Sequence, residues 1–324
     1  MQKILTIAMK EFHDALKNKL FLMLLIILLV LIGVSIIVTS FDFQNKVMEY
    51  NKSVQILKNL GKSIDKIPAP RFFPLQMLRA VMEYLEFIGA IIGIILGYLS
   101  IAKEKGKNTL QLLLTRPIGR FDIVSGKVLG NSILVLLVLA AAFVTVCFVM
   151  WVIGGVILST TEIMKLGIVL LLSFIYIMGF FCITSILALV NHSLPNALIF
   201  SIIIWLLFVL IIPQIGDTMD PDNQIPGGFF KSMNISKPQE KEILAKFNTY
   251  ETIRNNIEES SIMKQYERFV FALLGIKDEY NNKEIGFILM DKRGDGVWIM
   301  VFFLVSLGLE YFILVRNNLL LHRV

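Results

Sequence analysis

Long apolar runs separated by polar connections recur along the whole chain. A membrane-spanning helix takes about 20 mostly apolar residues, and runs at 20–40, 87–102, 128–153, 166–190, 197–213 and 297–315 meet or approach that length. They predict six transmembrane helices in an all-α integral membrane protein. Ahead of them, residues 1–19 show helical periodicity instead of a continuous apolar run. At about 100° per residue, Ile4, Leu5, Ala8, Phe12, Ala15 and Leu16 share one arc, while Lys3, Lys10, Glu11, His13, Asp14 and Lys17 fall outside it. This pattern predicts an amphipathic helix lying in the membrane interface, its lysines on lipid headgroups. A charged cytoplasmic lead into the first span is the alternative.

The polar connections divide the chain further. Residues 20–213 carry the first five spans, 214–296 form a polar insert, and 297–324 hold the last span and a tail. In 41–82, Pro68, Pro70 and Pro74 forbid a continuous helix, and the spacing of Val47, Tyr50, Val54, Leu57 and Leu60 predicts a short helix outside the membrane. Glu83 and Glu86 then mark the outer mouth of the second span, read as solvated acids in preference to a cation site. The insert opens with an Asp-, Pro- and Gly-rich loop. It continues as helix over 238–274, broken near Ser260-Ser261, which predicts a small helical extracytoplasmic subdomain between spans five and six.

Composition agrees with a membrane protein: 56% of residues are hydrophobic and 17% charged, against about 25% charged in soluble domains. The net charge of +6 is read as orientation and headgroup contact, not nucleic-acid binding. Cys147 and Cys182 lie inside apolar runs and read as buried free thiols. No HExxH or G-x-S-x-G motif occurs. Gly119 to Lys127 superficially suggests a phosphate loop, but six residues separate its glycines and Val128 replaces the hydroxyl residue that would ligate magnesium. The chain is therefore read as no enzyme, with no catalytic or metal site and no bound cofactor. Within the spans the exception to apolar character is Glu310, about two turns, or roughly 9 Å, before Arg316. An intramembrane carboxylate is a functional candidate by default; structural pairing with a basic residue is the reading preferred here.

The densest short basic segment is 103–127, with Lys103, Lys105, Lys107, Arg116, Arg120 and Lys127. Such loops stay in the cytoplasm, which predicts a multi-pass protein of the cell membrane with both termini cytoplasmic. Within this loop Thr109 can cap a short helix with Leu110, Leu113 and Leu114 on one side. Arg116-Pro117 stops it, and Asp122 can cap the helix that follows. A short helix displaying leucines and arginines beneath a membrane suggests a dock for a cytoplasmic partner.

The loop also resembles the first cytoplasmic loop of ABC-2 type transporter permeases, which read E-x-E-x-G-T-L-E-x-L-L-x-x-P-x-S-R-x-x-I-x-x-G-K. Glu104, Thr109, Leu110, Leu113, Leu114, Pro117, Arg120, Ile123, Gly126 and Lys127 match; Gly106, Asn108 and Gly119 depart. Lys10, Glu11, Phe12, Asp14, Ala15, Leu16 and Lys19 are similar to that family's opening motif. The resemblance implies the permease subunit of an ATP-binding cassette exporter. Its loop would form a coupling helix seated in a separate ATPase subunit, which holds the ATP and magnesium. Leu110, Leu113 and Leu114 would then fill an apolar notch in the ATPase, with Glu104, Arg116 and Arg120 as rim ion pairs. The further partners implied are a second copy or a related permease, and membrane lipids. A non-transport membrane scaffold, or a sensor with an external ligand-binding subdomain, is the rival.

Overall fold

The computed structural model describes residues 2–59, 74–106, 119–152, 155, 158–220, 225, 228–281 and 283–316, and all regular structure among them is helical. Helix α1 (Gln2–Leu16) ends just before Asn18, whose side chain accepts from the backbone N–H groups of Leu20 and Phe21 and so caps α2 (Lys19–Asn59). The 41 residues of α2 extend about 60 Å, twice the hydrocarbon thickness of a bilayer. The sequence predicted a span ending at 40 and a separate short helix after it. One helix runs through instead, because 34–59 contain neither Gly nor Pro to end it.

The second span is a composite. A 3-10 turn (Pro74–Leu78), α3 (Arg79–Tyr84), a π turn (Leu85–Gly89) and α4 (Ala90–Gly106) follow end to end. The third span is α5 (Arg120–Val152) and the fourth is α6 (Thr160–Val190). A capping box starts α6, in which Ser159 and Glu162 satisfy each other's backbone N–H groups. The fifth span is α7 (Leu194–Trp205), a second π turn (Leu206–Ile211) and α8 (Ile212–Met219). Next come α9 (Phe229–Ser232), α10 (Lys237–Lys246), α11 (Asn248–Ser260), α12 (Ile262–Leu273) and α13 (Ile285–Asp291), and finally α14 (Arg293–Arg316). Six stretches among the described residues are long and apolar enough to cross a membrane: Lys19–Ile56, Pro74–Lys105, Arg120–Val152, Thr160–Val190, Leu194–Met219 and Arg293–Leu314.

Helix α6 is central, packed by α4, α14, α7, α5 and α12. Its closest neighbour is α4, because glycines remove the side chains that would hold them apart. A Cβ at Gly93 would lie 2.4 Å from the Ile177 carbonyl oxygen, and one at Gly97 2.4 Å from that of Phe181. Small residues one turn apart are how membrane helices bring their backbones together.

We call the end of the bundle that bears α1 basal and the opposite end distal. At the distal end the chain breaks at Ser261, whose hydroxyl accepts from Lys264 N–H and caps α12. Helix α11 is solvated and ion-paired: Arg254 bonds Glu251 at 2.8 Å, and Glu258 takes Arg268 at 2.8 Å. Helix α12, by contrast, sinks between the spans. Tyr266, Val270, Ala272 and Leu273 are completely buried, against α14, α6 and both π turns. Glu83 keeps a surface position, 3.1 Å from Arg79. Glu86 does not: the reading of it as a solvated acid is corrected, because α12 covers it and leaves it 0% exposed.

Candidate functional site

The basal end gathers four charged side chains distant in sequence. Helix α1 lies across the start of α5, with Ala8, Glu11 and Ala15 turned inward. Two glycines of α5 make the contact fit. A Cβ at Gly126 would meet the Cβ of Ile7 at 2.6 Å, and one at Gly130 would meet the Ala8 carbonyl oxygen at 2.5 Å. Lys127, between them, is 1% exposed. Its ammonium donates to Glu11 Oε1 at 2.9 Å and to the Ser100 carbonyl oxygen at 2.5 Å, and it is ion-paired with Glu104 Oε2 at 2.9 Å. Lys10 Nζ donates to Glu104 Oε1 at 2.8 Å. Two carboxylates and two ammonium groups thus close a neutral cluster joining α1, α4 and α5. Asn131 donates to the Lys127 carbonyl oxygen at 2.9 Å and braces the turn that carries the lysine.

Burial alone would lower the Lys10 ammonium. The hydrogen bond and charge of Glu104, with Glu11 and Asp14 beyond, instead hold it above the ordinary lysine value. Removing one of the three buried members, Lys127, Glu11 or Glu104, leaves the others uncompensated, at a cost of about 3–5 kcal/mol.

Two neighbouring lysines extend the clamp. Lys103 Nζ donates to the Asp14 carbonyl oxygen at 3.1 Å, with that residue's carboxylate 3.8 Å away. Lys105 donates to the carbonyl oxygens of Ala188 at 3.1 Å and Leu189 at 3.2 Å, and to that of Asn191. A cation on the last carbonyls of a helix is favoured by their partial negative charge. The end of α4 is therefore tied to α1, to α5 and to the end of α6. The start of α5 also meets the last span: Ser125 and Tyr311 share a hydrogen bond of 2.9 Å, and the tilted rings of Phe121 and Tyr311 pack with centroids 5.3 Å apart.

The sequence-predicted residues fall in three groups. Lys10, Glu11, Asp14 and Glu104 come together in the clamp, with Phe12 packed against the core beside it. The sequence placed Glu11 on the solvated side of α1 and Glu104 on a partner-facing rim; they are 7% and 4% exposed, both turned inward onto Lys127. Periodicity could not show this, because Lys127, 116 residues after Glu11, makes burial of that carboxylate favourable. Arg120 opens α5, which starts two residues earlier than the proposed Asp122 cap, so Asp122 sits in the first turn, where the helix dipole favours an acid. Thr109, Leu110, Leu113, Leu114, Arg116 and Pro117 lie outside the described residues. Glu310, on α14, is 1% exposed and accepts from Ser185 of α6 at 2.6 Å, a neutral partner in place of the basic one expected. Its Oε2 has no hydrogen-bond partner among the described residues, and Lys127 lies within electrostatic reach.

Sequence reasoning missed the structural role of Lys127 and of Gly126 and Gly130. The signal was present as a lysine flanked by glycines, one and three residues away, at the start of an apolar helix. A family model described as ABC-2 family transporter protein matches residues 5–312. No curated protein matches the chain.

Proposed function

The chain belongs to the ABC-2 family of transporter proteins, and from that premise we propose that it is an exporter permease driven by ATP hydrolysis on a separate subunit. It is a multi-pass membrane protein and the membrane component of a transporter. In the proposed arrangement the basal end is cytoplasmic, both termini lie there, and the ATPase subunit seats on residues 107–118. Two copies, or one copy with a related permease, pair with two such ATPases, because six spans are few to enclose a pathway.

The observation that carries this reading is the anchoring of both ends of that loop. Glu104 before it and Lys127 after it bond each other and α1, and Lys105 holds the end of α6. A push on the loop therefore cannot be absorbed by slack at its ends. It passes to α1, α4 and α5 together, and from them to α6 and α14. ATP-driven closure of the two ATPases would tilt these spans and alternate the access of the pathway. Glu310, held by Ser185, belongs to the packing between α14 and α6 in this scheme.

The test is recovery of the ATPase that co-purifies with the wild-type permease. Leu113→Asp puts a charge where a dry contact is proposed. Losing a buried anchor of this kind costs about 2–4 kcal/mol, roughly thirtyfold to a thousandfold in affinity. The expected result is loss of the ATPase from the purified complex, with membrane insertion unchanged. Full recovery of the ATPase with Leu113→Asp would remove the docking claim.

A further inference from the structure

Glu86 reverses the logic of the basal clamp. It is as buried as Lys127, yet neither of its carboxylate oxygens has a hydrogen-bond partner among the described residues. It lies in the π turn Leu85–Gly89, and π turns mark functional positions because they interrupt the regular pairing of a helix. The Glu86 backbone carbonyl accepts from Tyr176 Oη of α6 at 3.1 Å. The ring of Tyr176 stacks on Tyr266 of α12, with centroids 4.8 Å apart, and Tyr266 Oη shares a hydrogen bond of 2.5 Å with Ser173. Helix α12 is thus a roof over Glu86. Its first end rests on the other π turn, where Ser261 donates to the Phe208 carbonyl oxygen at 2.6 Å.

Among the described residues, the charged groups facing Glu86 are Glu83 on its own span and Glu267 and Lys264 on α12. The one cation among them is engaged elsewhere: Lys264 bonds Asp217 at 3.2 Å and Glu267 at 3.1 Å. An ionised Glu86 would be a sealed charge among acids, without a partner, and burial of that kind is relieved by neutralising the group. Intramembrane carboxylates in this position are functional by default.

We propose that Glu86 is a proton-binding site closed by α12. While α12 is seated the side chain is a neutral carboxylic acid. When α12 lifts, the O–H bond breaks, the proton passes to water at the distal face, and a carboxylate remains. Seating α12 again requires a proton to be taken back, so proton concentration at the distal face biases the lid. The site does not depend on ATPase docking; only the identity of the distal face as the outer one rests on the proposed function.

The experiment uses the full chain in lipid nanodiscs without the ATPase, so failure of docking and failure of this proposal are distinguishable. Dicyclohexylcarbodiimide, an apolar reagent that adds to protonated carboxyls, is the first probe, read by peptide mass spectrometry. The expected result is an adduct on Glu86 at neutral pH and none on the surface acid Glu83. Hydrogen exchange across 262–273 is the second readout. Protection of α12 is expected to be lost as pH rises in the wild type, to be retained at all pH values in Glu86→Gln, and to be lost at lower pH in Glu267→Gln, which removes one of the acids facing Glu86. Absence of the Glu86 adduct, or the same pH profile in wild type and Glu86→Gln, would overturn the proposal. The wild-type adduct decides by itself should Glu86→Gln fail to fold.

Discussion

Lys127 at the basal end and Glu86 at the distal end are equally hidden from solvent, and their surroundings treat them in opposite ways. Lys127 has three oxygen partners within 2.9 Å, two of them carboxylates. Among the described residues Glu86 has none on its carboxylate, and the charges facing it are two acids and Lys264, which is held by Asp217 and Glu267. A buried charge that is fully paired resists change, because every displacement strands a partner. A buried carboxyl without a partner is stable in one protonation state and open to change with the other. In the proposed scheme the basal end therefore transmits movement rigidly, and the distal end responds.

The sharpest way to break the comparison is Lys127→Met, which keeps the bulk and deletes the charge. It leaves Glu11 and Glu104 buried with only Lys10 for compensation, and is expected to destabilise the fold by about 3–5 kcal/mol, read as loss of thermal stability in nanodiscs. A stability equal to wild type would show that the clamp is not what holds α1. Next in size is Gly126→Val, which keeps all four charges but inserts a side chain where even a Cβ would lie 2.6 Å from the Cβ of Ile7. Overpacking costs about 1–3 kcal/mol, and faster exchange of the α1 amides is the expected sign. The smallest effect belongs to Lys10→Met. The Lys10 side chain is 50% exposed, and an ion pair that reaches water contributes about 0–1 kcal/mol. A loss as large as that of Lys127→Met would make Lys10 an equal partner and redraw the clamp.

Much of this was legible in the residues. The six apolar runs found the six spans, although the second and fifth proved longer, since their continuations at 74–86 and 214–219 carry Glu, Arg and Asp that a hydropathy reading excludes. The break near Ser260-Ser261 was visible because serine is a cap in any context. Lys10 and Glu11 were visible in one motif and Glu104 and Lys127 in another, but not as a contact. Nothing local in α1 marks Glu11 for burial, since an acid outside an apolar arc reads as solvated wherever its partner is not known. Glu86 was read as exposed for the same reason: the helix that covers it lies about 180 residues further on.

The sequence by itself determined that this is a helical membrane protein with six spans and a basic loop. A bilayer forces each spanning segment to satisfy its own backbone and supply its own apolar length, and those demands are met within one stretch of chain. Only the tertiary structure decided which charges are partners, which glycines admit a neighbouring backbone, and that α12 seals an unpaired carboxyl. These are properties of residues brought together from distant positions, and the energy of a buried charge is fixed by whatever stands within a few ångströms of it.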